Sequence, residues 1–252
     1  MTMALTHLDR LEGEAIHILR ESFAEARRPV LLFSGGKDST VLAYLAAAAF
    51  YPGRPPMPLL HIDSTFEFQE TLEFRDHLAE ELGFELIVRR NEEGLREGVS
   101  PFVHGSALYT DIMRTTPLKA ALDELGADII FGGARRDEEK ARAKERVVSV
   151  RSPNHVWEPR AQRPELWRLY NAKLVVADDR YPFAAGEQVE TRTVRFRTVG
   201  CWPVTGAIES QATTLSEVMR ETIIASTSER QGRLIDTDEG SSLESKKRQG
   251  YF

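Results

Sequence analysis

The feature that most constrains this chain is an alternation. Four short apolar runs, "RRPVLLF", "LLHID", "FELIV" and "DIIF", are separated by stretches with helical spacing. Runs that are apolar throughout suit strands covered on both faces, as in a parallel sheet. Parallel neighbours also need crossover segments long enough for a helix, and the intervals provide them. The pattern predicts an α/β fold: a Rossmann-like, mainly parallel sheet with helices on both faces and a C-terminal extension.

The intervals carry their own punctuation. Residues 7–26 place Leu8, Leu11, Ala15, Ile18 and Ser22/Phe23 at helical spacing, with Thr6 as N-cap. A second helix is expected from about Ser39 to Phe50, and a loop over "YPGRPPMP". A third spans 67–82, with Leu72, Leu78, Ala79 and Leu82 as core contacts and Gly83 as its end. Residues 91–110 read as a loop. The next helix is capped by Thr116, takes Pro117 in its first position and closes at Gly126. Later, "TRTVRFRTVG" reads as a strand. "TTLSEVMRETIIAST" reads as a helix with Leu215, Val218, Met219, Thr222 and Ile223 on one face. The proline- and arginine-rich stretch 152–172 reads mostly as loops. The polar tail from Ser228 onward is disordered by composition alone.

Bulk properties exclude several classes. A formal net charge of −6 argues against general nucleic-acid binding. The single cysteine, Cys201, permits no intrachain disulfide and no multi-cysteine zinc site. The six histidines show no metal-ligand spacing, so no protein-held metal is expected. The N-terminus has no signal-peptide core, and no apolar run reaches the roughly 20 residues that span a bilayer. These readings predict a cytoplasmic protein with no nucleic acid and no membrane among its partners.

In open parallel sheets, ligands bind beyond the carboxyl ends of strands, where the strand order reverses. Three features fall at such ends. The first is "SGGKDST": Gly35 and Gly36 let backbone amides approach an anion, Ser34 and Ser39 add hydroxyls, and Lys37 adds a charge. The following helix points its positive end at the same spot. This is not a Walker loop, because Asp38 follows Lys37 and Leu31 stands where the first glycine belongs. An ordinary strand-to-helix turn with a capping serine would read similarly. The second feature is Asp63 with Ser64 and Thr65, for which a nucleotide contact and a plain turn role remain open. The third is "GGARRDEE": Gly132 and Gly133 give clearance, and the forks of Arg135 and Arg136 match tetrahedral oxyanions. If the first and fourth strands are neighbours, the first and third features face each other. Weaker candidates are His104, expected to bond backbone, and Arg195 with Arg197 on one strand face. These arginines either extend a basic cleft or pair with carboxylates.

At this point the residues resemble a known family. "SGGKDST" after a strand is similar to the PP-loop of the N-type ATP pyrophosphatases, whose fold is adenine nucleotide alpha-hydrolase-like. "LTHLDRLEGEAIHILRE", "HGSALYTDIMRT", "FGGARRDEEKARAKER", "QRPELWRLYN", "VRFRTVGCWPVTGAIES", "TSERQGR" and "KKRQGYF" resemble the small subunits of bacterial heterodimeric sulfate adenylyltransferases along nearly the whole chain. The resemblance implies attack of sulfate on the α-phosphorus of ATP bound with Mg2+, giving adenosine 5′-phosphosulfate and pyrophosphate. It implies a GTPase large subunit as partner, with GTP hydrolysis driving the reaction, and a place in sulfate assimilation. Carried onto this chain, Ser34, Gly35, Gly36, Lys37, Asp38 and Ser39 would grip the β,γ-phosphates. Arg135 and Arg136 would take sulfate and transition-state charge. Asp63 would lie near the adenosine, and Gly132 and Gly133 would line the phosphate site. Lys37 is counted with the two arginines as catalytic.

The resemblance also implies a PP-loop domain over 1–172 and an extension over 173–252 that packs on core and partner. That reverses the compositional reading of the tail. Several dozen family residues, including an active-site-closing segment, are absent between Ala172 and Lys173. Either they are deleted or a mobile stretch is missing from the sequence as written; the second is the expectation here. A phosphoadenylylsulfate reductase would need a nucleophilic cysteine in its tail, and this tail has none. A catalytically silent nucleotide-binding subunit that regulates the GTPase is the reading from a different class.

Overall fold

Leu31 lies between Leu59 on one side and Phe131 on the other, and that register defines the sheet. The computed structural model describes residues 6–133, 147–158, 193–196 and 207–225. The chain divides into two units: Met1–Gly98 with Asp111–Gly133, and Val99–Thr110 with Ala134–Phe252. The expected junction at Ala172 and Lys173, the tail from Ser228 onward and Cys201 lie outside the described residues.

The first unit holds strands β1 (Pro29–Leu32), β2 (Leu59–Asp63), β3 (Leu86–Arg90) and β4 (Ile129–Phe131) in the order β3-β2-β1-β4. All three pairings are parallel. Helices α2 (Lys37–Phe50) and α3 (Gln69–Leu82) carry the chain from β1 to β2 to β3. Between β3 and β4 the first unit has α4 (Glu92–Arg96), a π-helical turn (Asp111–Thr115) and α6 (Thr116–Leu125); α5 (Pro101–Thr110), between α4 and that turn in sequence, belongs to the second unit. Right-handed crossovers therefore set α2 and α3 on one face and α6 on the other. The strand order reverses between β1 and β4, so the first and third sequence features do end side by side.

Side chains alternate across the strands, which sorts the core into two faces. Leu31, Phe33, Leu59 and Phe131 pack with Ala43, Ala46 and Ala49 of α2 and with Leu78 and Ala79 of α3. Each fully buried leucine there contributes about 1.5–3 kcal/mol. Val30 and Leu60 point the other way. On that side the π turn touches β2 and α6 touches β3, and Met113, Leu118, Ala121 and Leu122 are buried. At the entrance to the sheet, the Asp128 carboxylate accepts from the amides of Arg28 and Arg27 at 2.9 and 2.8 Å. These bonds hold its carboxyl below the ordinary range and pin the start of β4 to the start of β1.

Three expectations change. Helix α1 (His7–Glu25) forms with Thr6 in a capping box with Asp9, but its packed face is Ile16, Leu19 and Phe23. Leu8 is 74% exposed, because only the later turns meet α2. There the Phe23 and Phe50 rings meet edge to face at 5.0 Å, and Arg20 Nε donates to the Ala49 carbonyl at 2.7 Å. Second, residues 91–110 are not a loop. Asn91 caps α4 through Gly94 N, and α5 follows. Third, Thr116 does not cap α6. The π turn runs straight into it, and the residue at the cap, Thr115, is helical and buried. Gly83 and Gly126 close α3 and α6 in the left-handed conformation, as expected.

In the second unit, β5 (Val194–Phe196) and β6 (Ala207–Glu209) pair antiparallel. Helix α7 (Leu215–Ile224) starts with Thr214 in a capping box with Glu217. Glu221 of α7 accepts from Arg195 at 2.6 Å and from the Ser210 hydroxyl at 2.8 Å. Of the two readings left open for Arg195, pairing with a carboxylate holds. The apolar face read on α7 forms but is open, with Leu215 and Ile223 more than 70% exposed.

Candidate active site

The phosphate loop leaves β1 at Phe33 and enters α2 at Lys37. Its first turn depends on Gly35, whose φ of 73° lies in the left-handed region. A side chain there would also drive into Thr71 of α3. Gly36 stands at the N-cap of α2 with extended backbone and makes no side-chain cap. The loop braces itself instead. Ser39 Oγ donates to the Gly36 carbonyl at 2.9 Å, and the amide of Ser34 donates to Ser39 Oγ at 3.3 Å. The Ser34 and Ser39 hydroxyls stand 3.3 Å apart. Lys37 is half exposed and lies 3.4 Å from the Asp38 carboxylate. Helix α2 thus begins two residues earlier than the sequence suggests, because Lys37 and Asp38 are drawn into its first turn.

The third feature comes to the same place. A Cβ on Gly133 would lie 2.7 Å from the carbonyl oxygen of Asp38 and 2.8 Å from its carbon. Only glycine allows the exit of β4 to lie against the first turn of α2. Gly132 differs: a Cβ there would meet nothing within 4 Å. Arg135 and Arg136 lie outside the described residues.

Asp63 is at the end of β2, as expected. Its Oδ1 accepts from the Thr65 amide at 2.8 Å, and its Oδ2 lies 3.8 Å from Arg90. The carboxylate therefore closes a turn, with Thr65 in the left-handed region at φ 73°. His104 bonds backbone, its Nδ1 lying 3.3 Å from the Ser100 carbonyl, although it sits in α5 and not in a loop.

A buried polar cluster beside the loop has no signal in the sequence. His61 Nδ1 lies 3.0 Å from the Phe33 carbonyl, and its Nε2 lies 2.8 Å from Glu67 Oε2. The two side chains are 1% and 4% exposed. Glu67 Oε1 also accepts from the Ser64 hydroxyl at 3.1 Å and lies 3.9 Å from Arg114 of the π turn. Burial pushes the Glu67 carboxyl up. The hydrogen bond and charge of His61, the charge of Arg114 and the Ser64 hydroxyl outweigh it and hold the group below its ordinary value of 4.5. A carboxyl depressed in the folded state adds stability that is intact above that value and lost as pH falls through the depressed one. Acid unfolding should therefore lose part of its steepness in Glu67→Gln. Urea denaturation across the acid range checks this, and unchanged pH dependence would refute it.

Among the described residues no group of three or more His, Cys, Asp or Glu could hold a metal ion, and no helix is long and apolar enough to cross a membrane. The site is a helix start with glycine at its N-cap, a glycine loop and a second glycine pair, gathered where a parallel sheet reverses its order. That is the arrangement of a nucleotide-phosphate-binding α/β protein.

Comparison with known proteins makes this specific. Residues 28–207 match the phosphoadenosine phosphosulfate reductase domain family. A relative from Hyphomonas neptunium, named sulfate adenylyltransferase subunit 2, is 49% identical over 297 residues, covering 98% of this chain and 90% of that protein. Relatives of the same name from Citrifermentans bemidjiense and Saccharophagus degradans are 49% and 50% identical, covering 100% and 98% of this chain and the same shares of their own. The chain belongs to the sulfate adenylyltransferase subunit 2 family, within the PP-loop superfamily. Solved structures with a partial likeness include a phosphoadenylyl-sulfate reductase from Candida auris (TM-score 0.40, 17% identity, 52% of this chain and 68% of that one). Another is an NH3-dependent NAD synthetase from Campylobacter jejuni (TM-score 0.42, 17% identity, 53% and 59%). The alignment with the Citrifermentans relative runs over 301 residues, whereas this chain has 252.

Proposed function

We propose that this chain is the catalytic subunit for adenylyl transfer from MgATP to sulfate. The backbone amides of Gly35 and Gly36, the Ser34 and Ser39 hydroxyls, Lys37 and the start of α2 hold the β,γ-phosphates as the pyrophosphate leaving group. Mg2+ arrives with ATP and is held through its phosphates. Asp63, at the end of β2, borders the adenosine side. Arg135 and Arg136 follow Gly133 in sequence and neutralise sulfate and the charge that develops at the α-phosphorus. Sulfate is already ionised, so displacement needs no strong general base. Positioning and charge neutralisation carry the rate.

The observation that supports this reading is the close approach of Gly133, at the exit of β4, to the Asp38 carbonyl at the start of α2. The product's mixed anhydride is less stable than that of ATP. A GTPase large subunit, acting in the cytoplasm, supplies the drive through GTP hydrolysis. Mixing the full chain with MgATP, sulfate, GTP and a cognate large subunit should release pyrophosphate only when sulfate is present. Release independent of sulfate would overturn the reading. The shortfall against relatives favours one alternative, a catalytically silent regulatory subunit. It would bind ATP yet release no pyrophosphate in the same mixture.

A further inference from the structure

The His61–Glu67 pair is buried, polar and unused by the chemistry above. Removing such a pair from water costs several kcal/mol, and apolar residues of similar volume often stabilise as well. Stability alone does not account for it; its placement does. The Phe33 carbonyl can only accept, so His61 Nδ1 must donate to it. Glu67 Oε2 lies 2.8 Å from the other ring nitrogen and fixes the ring plane. Glu67 is fixed in turn by the Ser64 hydroxyl at the end of β2 and by Arg114 of the π turn, 3.9 Å away. Phe33 is the residue immediately before Ser34. Its carbonyl therefore sets the peptide plane from which the phosphate loop departs.

We propose that His61 is a positioning residue for the phosphate loop: held by Glu67, it anchors the Phe33 carbonyl and so fixes the direction in which Gly35 and Gly36 present their amides to ATP. This rests on the reading of the loop as an ATP phosphate cradle. An apolar residue at 61 would leave a buried carbonyl without its side-chain donor, and the peptide would rotate to find another. The loop amides would turn with it. Sulfate, held elsewhere, would be affected only indirectly.

Side chains that resemble one ring nitrogen at a time provide the test. An asparagine amide can replace Nδ1 and still reach the Phe33 carbonyl, whereas a glutamine amide reaches toward Glu67. Binding of MgATP to the full chain would be measured by equilibrium dialysis for the parent, His61→Leu, His61→Gln and His61→Asn, with thermal unfolding of each in parallel. The Leu and Gln variants should weaken MgATP binding by about tenfold or more, and Asn should recover most of it, whatever the order of their melting temperatures. Equal affinity in all four would overturn the proposal. So would affinities that follow melting temperature with no advantage for Asn. If the Leu variant fails to fold, Gln against Asn decides. A parent that does not bind MgATP would instead overturn the cradle reading itself, and the positioning role with it.

Discussion

Gly133→Ala is expected to weaken MgATP binding by about 10²-fold. The added methyl would stand 2.7 Å from the Asp38 carbonyl oxygen and 3.2 Å from its Cβ. The nearer atom is helix backbone and cannot swing aside as a flexible side chain could. Either β4 retreats or the first turn of α2 tilts, and both moves displace the amides that face the phosphates. Two comparisons separate this from general damage. Gly13→Ala lies on α1 with nothing within 4 Å of the new methyl. It should stabilise the fold slightly, because alanine is the better helix former, and leave ATP binding unchanged. Gly132→Ala also meets no protein atom within 4 Å, so any loss there reports on space the ligand needs. Dialysis binding with urea denaturation checks the set. Gly133→Ala binding like the parent would show that the close approach does not govern the loop.

Arg135→Ala combined with Arg136→Ala is expected to lower turnover by about 10³-fold or more while leaving MgATP affinity within a few-fold of the parent. The split follows from the division of labour. In the proposed mechanism the loop holds the leaving group in both ground and transition states, whereas the two guanidiniums act on sulfate and on charge that appears only as the α-phosphorus is attacked. Lysine at both positions keeps the charge but loses the planar fork and should recover only part of the rate. Binding and turnover measured on the same preparation decide. If ATP affinity falls as far as the rate, the arginines serve ATP and the proposed sulfate role is wrong.

Much of this was legible in the sequence because it depends on local chemistry. Apolar runs give strands, Gly83 and Gly126 give helix ends, and Gly35 with Gly36 marks the loop. The neighbouring of β1 and β4, stated only as a condition in the sequence, is met in the sheet. What escaped is tertiary. Leu8 and Leu11 fit the period of α1 as well as Leu19 does, and only the position of α2 decides which are covered. The π turn has no sequence signature; one extra residue per turn carries Asp111–Thr115 directly into α6 and removes the need for a cap at Thr116. His61 and Glu67 looked like an ordinary strand residue and a helix-entry acid. Their meeting depends on the bend at Thr65, a β-branched residue at positive φ that no propensity would place there.

The central claim is that the loop retains pyrophosphate while sulfate attacks the α-phosphorus. ATP labelled at the γ-phosphate tests it most directly. With the cognate large subunit and GTP present, the label should leave as pyrophosphate, only when sulfate is added, and in step with the adenosine phosphosulfate formed. Label released from ATP by this subunit as orthophosphate, with ADP as the other product, would mean attack at the γ-phosphate and would contradict the account.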